Sequence, residues 1–449
     1  MAGSSHPPVF PSPHVLWGTA AKIFSAALEA VDPYRAVEDQ IPRILSTYKH
    51  GGFNKVLLVS FGKAAYLMAK AACEGLGDLI TRGIVITKYG HAAGHHLHDR
   101  VDIYEAGHPI PDDNGLRATA EVIKLLDESD GETLVLCSIS GGGSALLVSP
   151  QGGISLDDKQ AVTNLLLKSG ATINELNTVR KHLSAIKGGR LAKCAYPAKV
   201  ISLILSDVIG DNLDVIASGP TSPDSTTYAM ALSVLKKYRL TKKLPPPVKD
   251  ILEAGVEGRV ADSPKEGDLI FARVENIIVG SNRKAALAAE KKAKELGFDS
   301  TILSTELQGE ARDVARWLAK QVMEAKTSLA GKKGKKICLI SGGETTVTVR
   351  AKGKGGRNTE LALAFALAIE GVQGITLLSA GTDGTDGPTD AAGAIVTGQT
   401  VPRARSLGLD PSAYLQDNDS YTFFEKTGEL LLTGPTGTNV MDLQVILMD

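Results

Sequence analysis

The residues best suited to chemistry include the three aspartates of Leu377–Asp390, which reads LLSAGTDGTDGPTD: Asp383, Asp386 and Asp390. They follow an apolar run that reads as a buried strand, and they alternate with Gly381, Gly384 and Gly387. Glycines there allow unusual backbone angles and a close approach to a ligand. Hard cations such as Mg²⁺ prefer carboxylate and water oxygens, and Mg²⁺ usually arrives with a phosphate. Asp and Gly also make ordinary solvated turns, so the loop takes its meaning from the rest of the chain.

A second glycine-rich turn, Ser140-Gly141-Gly142-Gly143-Ser144, closes the apolar run Thr133–Ser140. Its consecutive amides and hydroxyls offer a place for an anion. No GxxxxGK[ST] occurs, which excludes a P-loop kinase, and Leu146 stands where GxGxxG needs its last glycine, which weakens a dinucleotide reading. Lys63 directly follows the strand-like run Lys55–Ser60 at a helix start, where a cation can hold a phosphate or carboxylate oxygen. Asp207 and Asp211 follow the apolar run Val200–Ser206. One can orient a substrate hydroxyl or accept its proton while the other reaches a metal through water, a pairing that phosphoryl transfer needs. An Asx-turn is their plain structural alternative. Arg357 lies just before a helix starting near Asn358, and its planar fork grips a carboxylate or a transferring phosphate at two points. Glu344 adds a carboxylate at another strand end.

The histidines divide differently. His91, His95, His96 and His98 fall within eight residues, but no helical His-x-x-x-His frame with acid support contains them, so no zinc site is expected. His108 sits in the rigid turn Gly107-His108-Pro109-Ile110-Pro111-Asp112 and suits the lining of a pocket. The absence of GxSxG argues against a hydrolase triad. The basic run Lys332–Lys336 reads as a solvated linker.

These residues must be positioned by strand ends. The chain of 449 residues alternates short apolar β-branched runs with helical spacing, the mark of an α/β fold with a parallel sheet covered on both faces. Strands are expected at Lys55–Ser60, Gly83–Thr87, Val101–Glu105, Thr133–Ser140, Val200–Ser206, Asn276–Ser281, Thr301–Ser304, Lys336–Ser341 and Ile375–Ser379, with a final pair around TGPTGTN. Ile173–Cys194 reads as largely helical, and Ser155 with Asp158 as a helix cap. Two domains are expected, at 14–250 and 271–449, joined by a proline-bearing linker at 251–270, with a cleft between them. The Ser- and Pro-rich first residues read as a disordered lead-in. A net charge of −1 argues against a nucleic-acid or anionic-membrane binder. Four scattered cysteines favour a reducing compartment, and no apolar run approaches the length of about 20 residues that spans a bilayer.

Eleven segments then carry a resemblance. They are SFGKAA (60–65), KYGHA (88–92), AGHPIPDDNG (106–115), SISGGGSALL (138–147), LNTVRKHLSAIKGGRLA (176–192) and LSDVIGDNLDVIASGPTSPD (205–224), followed by GSNRKAA (280–286), SGGETTVTV (341–349), GGRNTELAL (355–363), SAGTDGTDGPTDAAGA (379–394) and TGPTGTNVMDL (433–443). In this order they resemble the class II glycerate kinases, the glycerate 2-kinases with a C-terminal MOFRL domain. The resemblance implies transfer of the γ-phosphoryl of ATP to the 2-hydroxyl of D-glycerate with Mg²⁺, giving 2-phosphoglycerate and ADP. It implies an N-terminal Rossmann-like, doubly wound parallel sheet, a smaller C-terminal α/β domain, and an active site in the interdomain cleft.

By position the family's catalytic lysine falls on Lys63, its aspartate on Asp207 or Asp211 (Asp207 preferred at its strand end), and its arginine on Arg357. The nucleotide phosphates are then expected on Ser140, Gly141, Gly142, Gly143, Ser144, Gly381, Thr382 and Gly384. The substrate is expected on Lys63, His108, Arg357 and Asn358, and the metal on Asp383, Asp386 and Glu344. The expected partners are ATP and D-glycerate, with no nucleic acid and no membrane, in a cytoplasmic monomer or homodimer. Two other readings are an NAD(P)H-dependent hydroxypyruvate reductase, a label relatives have carried, and a non-catalytic sugar-acid or nucleotide-binding protein. The missing GxGxxG opposes the first, and the joint presence of Lys63, both aspartates and Arg357 opposes the second.

Overall fold

The apolar runs become two six-stranded sheets in the structure, a computed structural model that describes residues 15–92, 94, 96–329 and 335–449. The expected lead-in, His95 and most of the Lys332–Lys336 run lie outside the described residues. Pro33–Val279 form one compact unit, and Gly280–Asp449 form the other together with the chain up to Asp32.

The first sheet contains β1 (Lys55–Phe61), β2 (Ile80–Lys88), β3 (Val101–Ala106), β4 (Thr133–Ile139), β5 (Lys199–Leu205) and β6 (Val274–Gly280), ordered β3-β2-β1-β4-β5-β6. The pairings β2–β3, β1–β2, β1–β4 and β4–β5 are parallel. All of β4, and all but the first residue of β1 and β5, is buried, as continuous apolar strands are when helices cover both faces. The strand order reverses between β1 and β4. The turns leaving these two strands hold Lys63 and Ser140–Ser144, so both lie at the topological switch point, where open α/β sheets bind ligands.

The second sheet contains β7 (Asp299–Leu307), β8 (Ile337–Gly343), β9 (Ile375–Gly381), β10 (Gly393–Thr397), β11 (Leu430–Leu431) and β12 (Asp442–Met448), ordered β11-β10-β9-β12-β8-β7. It is mixed. β7 pairs parallel to β8, whereas β12 runs antiparallel between β8 and β9. In that register Asp442 lies opposite both Gly343 and Gly381. One end of the sheet therefore gathers the last residues of β8 and β9 with the first residue of β12.

The expected boundaries shift. β6 completes the first sheet rather than opening the second domain. The helix Val15–Glu29 belongs with the second unit, where it packs on the helix Asn282–Glu295 and on β9 and β12, burying Trp17, Ile23 and Phe24. The expected linker begins inside a helix, Pro246–Val256, because prolines are tolerated in a first turn whose amides have no helical partner. Ile173–Cys194 is two helices, Ile173–His182 and Arg190–Ala195, interrupted where Gly188 and Gly189 take left-handed angles.

Candidate active site

Around the switch point the backbone is drawn tight. Lys63 N donates to Gly141 O at 2.9 Å, Ser140 N to Phe61 O at 3.1 Å, and Ala64 N to Ser140 Oγ at 3.1 Å. Gly142 has φ +81°, and a Cβ there would lie 2.9 Å from His108 Cδ2 and 3.2 Å from Lys63 Cγ. A Cβ on Gly141 would collide with the Asp207 carboxylate. The glycines thus let His108, Lys63 and Asp207 close on one turn, and Asp207 is the aspartate that meets it. Asp211 follows in a short turn with φ +53°, and Ala217 and Ser218 share this uncommon left-handed backbone at +50° and +62°. Such strain persists only where the surroundings enforce it, and it clusters at functional sites. Ser144 Oγ bonds Ser218 Oγ at 2.6 Å, so both outer serines of SGGGS brace the turn. Burial, then Lys63, Lys88 and His91, pull the His108 imidazole down to about 4, which leaves it neutral at neutral pH.

The second unit builds a separate constellation on the end of its sheet. Arg357 opens the helix Arg357–Ala368. Its Nε and Nη2 donate to Asp442 Oδ2 and Oδ1 at 2.6 and 3.0 Å, and its Nη1 donates to Glu344 Oε1 at 2.6 Å. Burial draws Arg357 down, but Asp442 and Glu344 outweigh it and hold the guanidinium above its ordinary value. Burial pushes Asp442 up to about 6 against the pull of Arg357. A guanidinium has five N–H donors. Three are spent here, which leaves two for an oxyanion.

The GTDGTDG loop faces inward more than its sequence suggests. Asp386 is 2% exposed; it accepts from Asn358 N at 2.9 Å, Thr359 N at 2.8 Å and Thr359 Oγ1 at 2.7 Å. It therefore satisfies the open amides of the helix that carries Arg357. Buried Thr382 donates to Met441 O at 2.6 Å and accepts from Val440 N at 2.8 Å. Gly384, at φ +86°, makes room for the Gly434 carbonyl. Buried Asn358 accepts from Ser379 Oγ at 2.8 Å. Half-buried Asp383 accepts from Thr385 N and Oγ1 through Oδ1, both at 3.0 Å, and Asp390 accepts from Tyr421 at 2.7 Å.

Residues 19–253 match a family described as a domain of unknown function (DUF4147), and residues 337–442 match the MOFRL family. The D-glycerate 2-kinase of Thermotoga maritima is 47% identical over 436 residues, spanning 97% of this chain and 99% of its own length. The glycerate 2-kinase of Pyrococcus horikoshii is 41% identical, over 95% of this chain and 96% of its own. A crystal structure of the Thermotoga maritima glycerate kinase matches with a TM-score of 0.88, over 97% of this chain and all of that one.

This chain belongs to the class II glycerate kinase family.

Within that family frame, the geometry redistributes the expected site residues. Lys63, His108, Ser140–Ser144 and Asp207 gather in the first unit. In the second unit, Arg357 and Glu344 pair, and Asp386, Thr382, Gly384 and Asn358 are engaged in building the loop. Asp383, Asp386 and Glu344 do not form a metal cage: among the described residues no three His, Cys, Asp or Glu side chains are arranged to hold one. Mg²⁺ keeps several waters and leans on one or two carboxylates plus substrate phosphates, so it does not need such a cage.

Sequence reasoning missed Asp442. It lies at the start of the last strand, inside the quoted TGPTGTNVMDL segment, and only the β8-β12-β9 register brings it to Arg357. Also missed was a largely buried network in the first unit, in which Lys181 Nζ lies 2.7 Å from Asp224 and His182 Nε2 lies 2.9 Å from Asp262. Burial raises Asp224, but Lys181 and Thr226 outweigh it and hold the carboxyl at about 2.

Proposed function

We propose that this protein is a glycerate 2-kinase, transferring the γ-phosphoryl of ATP to the 2-hydroxyl of D-glycerate to give 2-phosphoglycerate and ADP. One observation carries the reading. A lysine, a glycine-rich turn and an aspartate converge at the switch point of a parallel sheet, in a chain 47% identical along nearly its whole length to a D-glycerate 2-kinase.

Phosphoryl transfer asks mainly for positioning and for neutralisation of spread negative charge. Lys63 and Arg357 supply cations to the oxygens of glycerate and of the transferring phosphoryl. Asp207 orients the 2-hydroxyl and takes its proton. Neutral His108 offers a hydrogen bond without adding charge. The amides of Ser140–Ser144 hold phosphate oxygens. Mg²⁺, held by Asp383 or Asp207 together with the nucleotide phosphates, would shield the charge of the phosphate chain. A cytoplasmic location belongs to the same proposal. No described helix is long and apolar enough to cross a membrane.

Phosphorus NMR of a reaction with ATP and D-glycerate tests activity, substrate and position together. The expected product is 2-phosphoglycerate. A C3 phosphate, or hydroxypyruvate-dependent oxidation of NADH without any phosphate product, would count against the reading.

A further inference from the structure

The stretch Leu176–Ala192 brings Arg180, Lys181, His182, Lys187 and Arg190 close together, and the proposed reaction uses none of them. Lys181 and His182 have acidic partners. Arg180 and Lys187 form no ion pair with any described residue, and neither does Lys159 from the helix Leu156–Lys168. Lys159 is 4% exposed, and its Nζ has no hydrogen-bond partner among the described residues. Lys187 is 1% exposed and donates to Leu147 O at 3.2 Å. Arg180 is half-buried.

Lys187 reaches the chain that leaves the glycine-rich turn, and Lys159 and Arg180 stand on helices whose neighbouring residues meet the loops around that turn. Leu147, held by Lys187, directly follows the single helical turn Gly143–Leu146. The chain beyond it is tied to the Lys187 segment by Gln151 N to Leu183 O at 3.1 Å and Ala185 N to Ser149 O at 2.9 Å. Asn177, one helical turn before Arg180 and on the same face, meets Ser218 at 3.4 Å, and Ser218 bonds Ser144 at 2.6 Å. Gln160, next to Lys159, donates to Pro111 O at 2.8 Å in the turn that carries His108. The helices bearing Lys159 and Arg180 share a core through Val162, Leu166, Leu176 and Val179. Burial, with repulsion from Arg180, brings Lys159 down to about 7, and burial with Lys159 and Arg180 lowers Lys187 as well.

Buried charges are costly unless they are paired. Basic groups that burial and mutual repulsion press toward their neutral form, with no ion pair among the described residues, regain their charge when a multiply charged anion joins them. We propose that Lys159, Arg180 and Lys187 extend the Ser140–Ser144 turn into a binding site for the polyphosphate of the nucleotide. A carboxylate brings one charge and needs one cation, whereas a polyphosphate rewards several. This inference rests on the kinase reading.

Calorimetric titration of the intact protein with ADP, inorganic tripolyphosphate and D-glycerate tests it. Lys159→Met and Arg180→Gln are each expected to weaken ADP and tripolyphosphate binding by about tenfold or more while leaving D-glycerate affinity unchanged. Lys159→Met is also expected to melt no lower than the parent, because it removes an unpaired buried charge. A parent that binds no ADP overturns the kinase reading itself. A parent that binds ADP, with both variants unchanged, overturns the cluster alone. Loss of D-glycerate affinity in place of ADP affinity hands the cluster to a carboxylate and overturns the proposal. A lower Tm for Lys159→Met with ADP affinity retained marks a structural lysine and does the same; Arg180→Gln, altering a half-buried side chain, keeps the binding test open.

Discussion

Arg357 shows how one side chain is oriented by distant neighbours. Its position at a helix start was legible in KGKGGRNTE, but its two acidic partners come from other strands, and they set its orientation. Replacing Lys63 or Arg357 by Ala should lower kcat by about 10²–10³ with the fold intact, read by steady-state kinetics beside circular dichroism. Asp442 adds a pH dependence. Its folded pKa, about 6, lies above the ordinary carboxyl value, so the folded state takes up a proton in that window that the unfolded chain does not. Acidification through about pH 6 therefore favours the fold at this group while it discharges the anchor of Arg357. Activity should fall across that range without a matching loss of Tm from Asp442. Asp442→Asn should lower kcat at neutral pH by about tenfold or more and abolish that acid limb; a limb that persisted unchanged in the variant would assign it to another group.

At the scale of elements, the strand ends matter through the turns they release. Gly141 lies directly against the Asp207 carboxylate, and its backbone is not left-handed. Gly141→Ala should therefore displace Asp207 and reduce turnover while leaving Tm nearly unchanged. Asp386 makes the opposite prediction. As the cap of the helix Arg357–Ala368, its replacement by Ala should cost about 1–2 kcal/mol of stability, measured by denaturant unfolding, and should loosen Arg357. A metal-binding Asp386 would instead leave stability intact and raise the Mg²⁺ requirement. The turns after β1, β4, β5 and β9 were readable because apolar runs ending in Gly, Lys or Asp carry local signals. The inward turn of Asp386 was not readable, because its amide partners stand some 28 residues earlier in the chain.

For the whole molecule, the division into two units does not follow chain order. The helix Val15–Glu29 carries an apolar face whose partner is nearly the whole chain away, and Thr438 Oγ1 donates to Val31 O at 2.7 Å. Deleting the chain up to Val31 should destabilise the 280–449 unit selectively. Calorimetry is expected to show its unfolding transition moved to lower temperature, with that of the 33–279 unit little changed. If both transitions stayed in place, the helix would have no such structural role.

The amino-acid sequence by itself determined the α/β class, the strand ends and the family, because these rest on local periodicity, turn residues and long ordered motifs. Tertiary structure alone decided which groups meet. It chose Asp207 to lie against the glycine-rich turn, gave Arg357 its Asp442 anchor, turned Asp386 inward as a cap, and left Lys159, Arg180 and Lys187 with no ion pair among the described residues. Such pairings depend on strand order, register and burial, which join residues far apart in the chain and leave no trace in any short window of it.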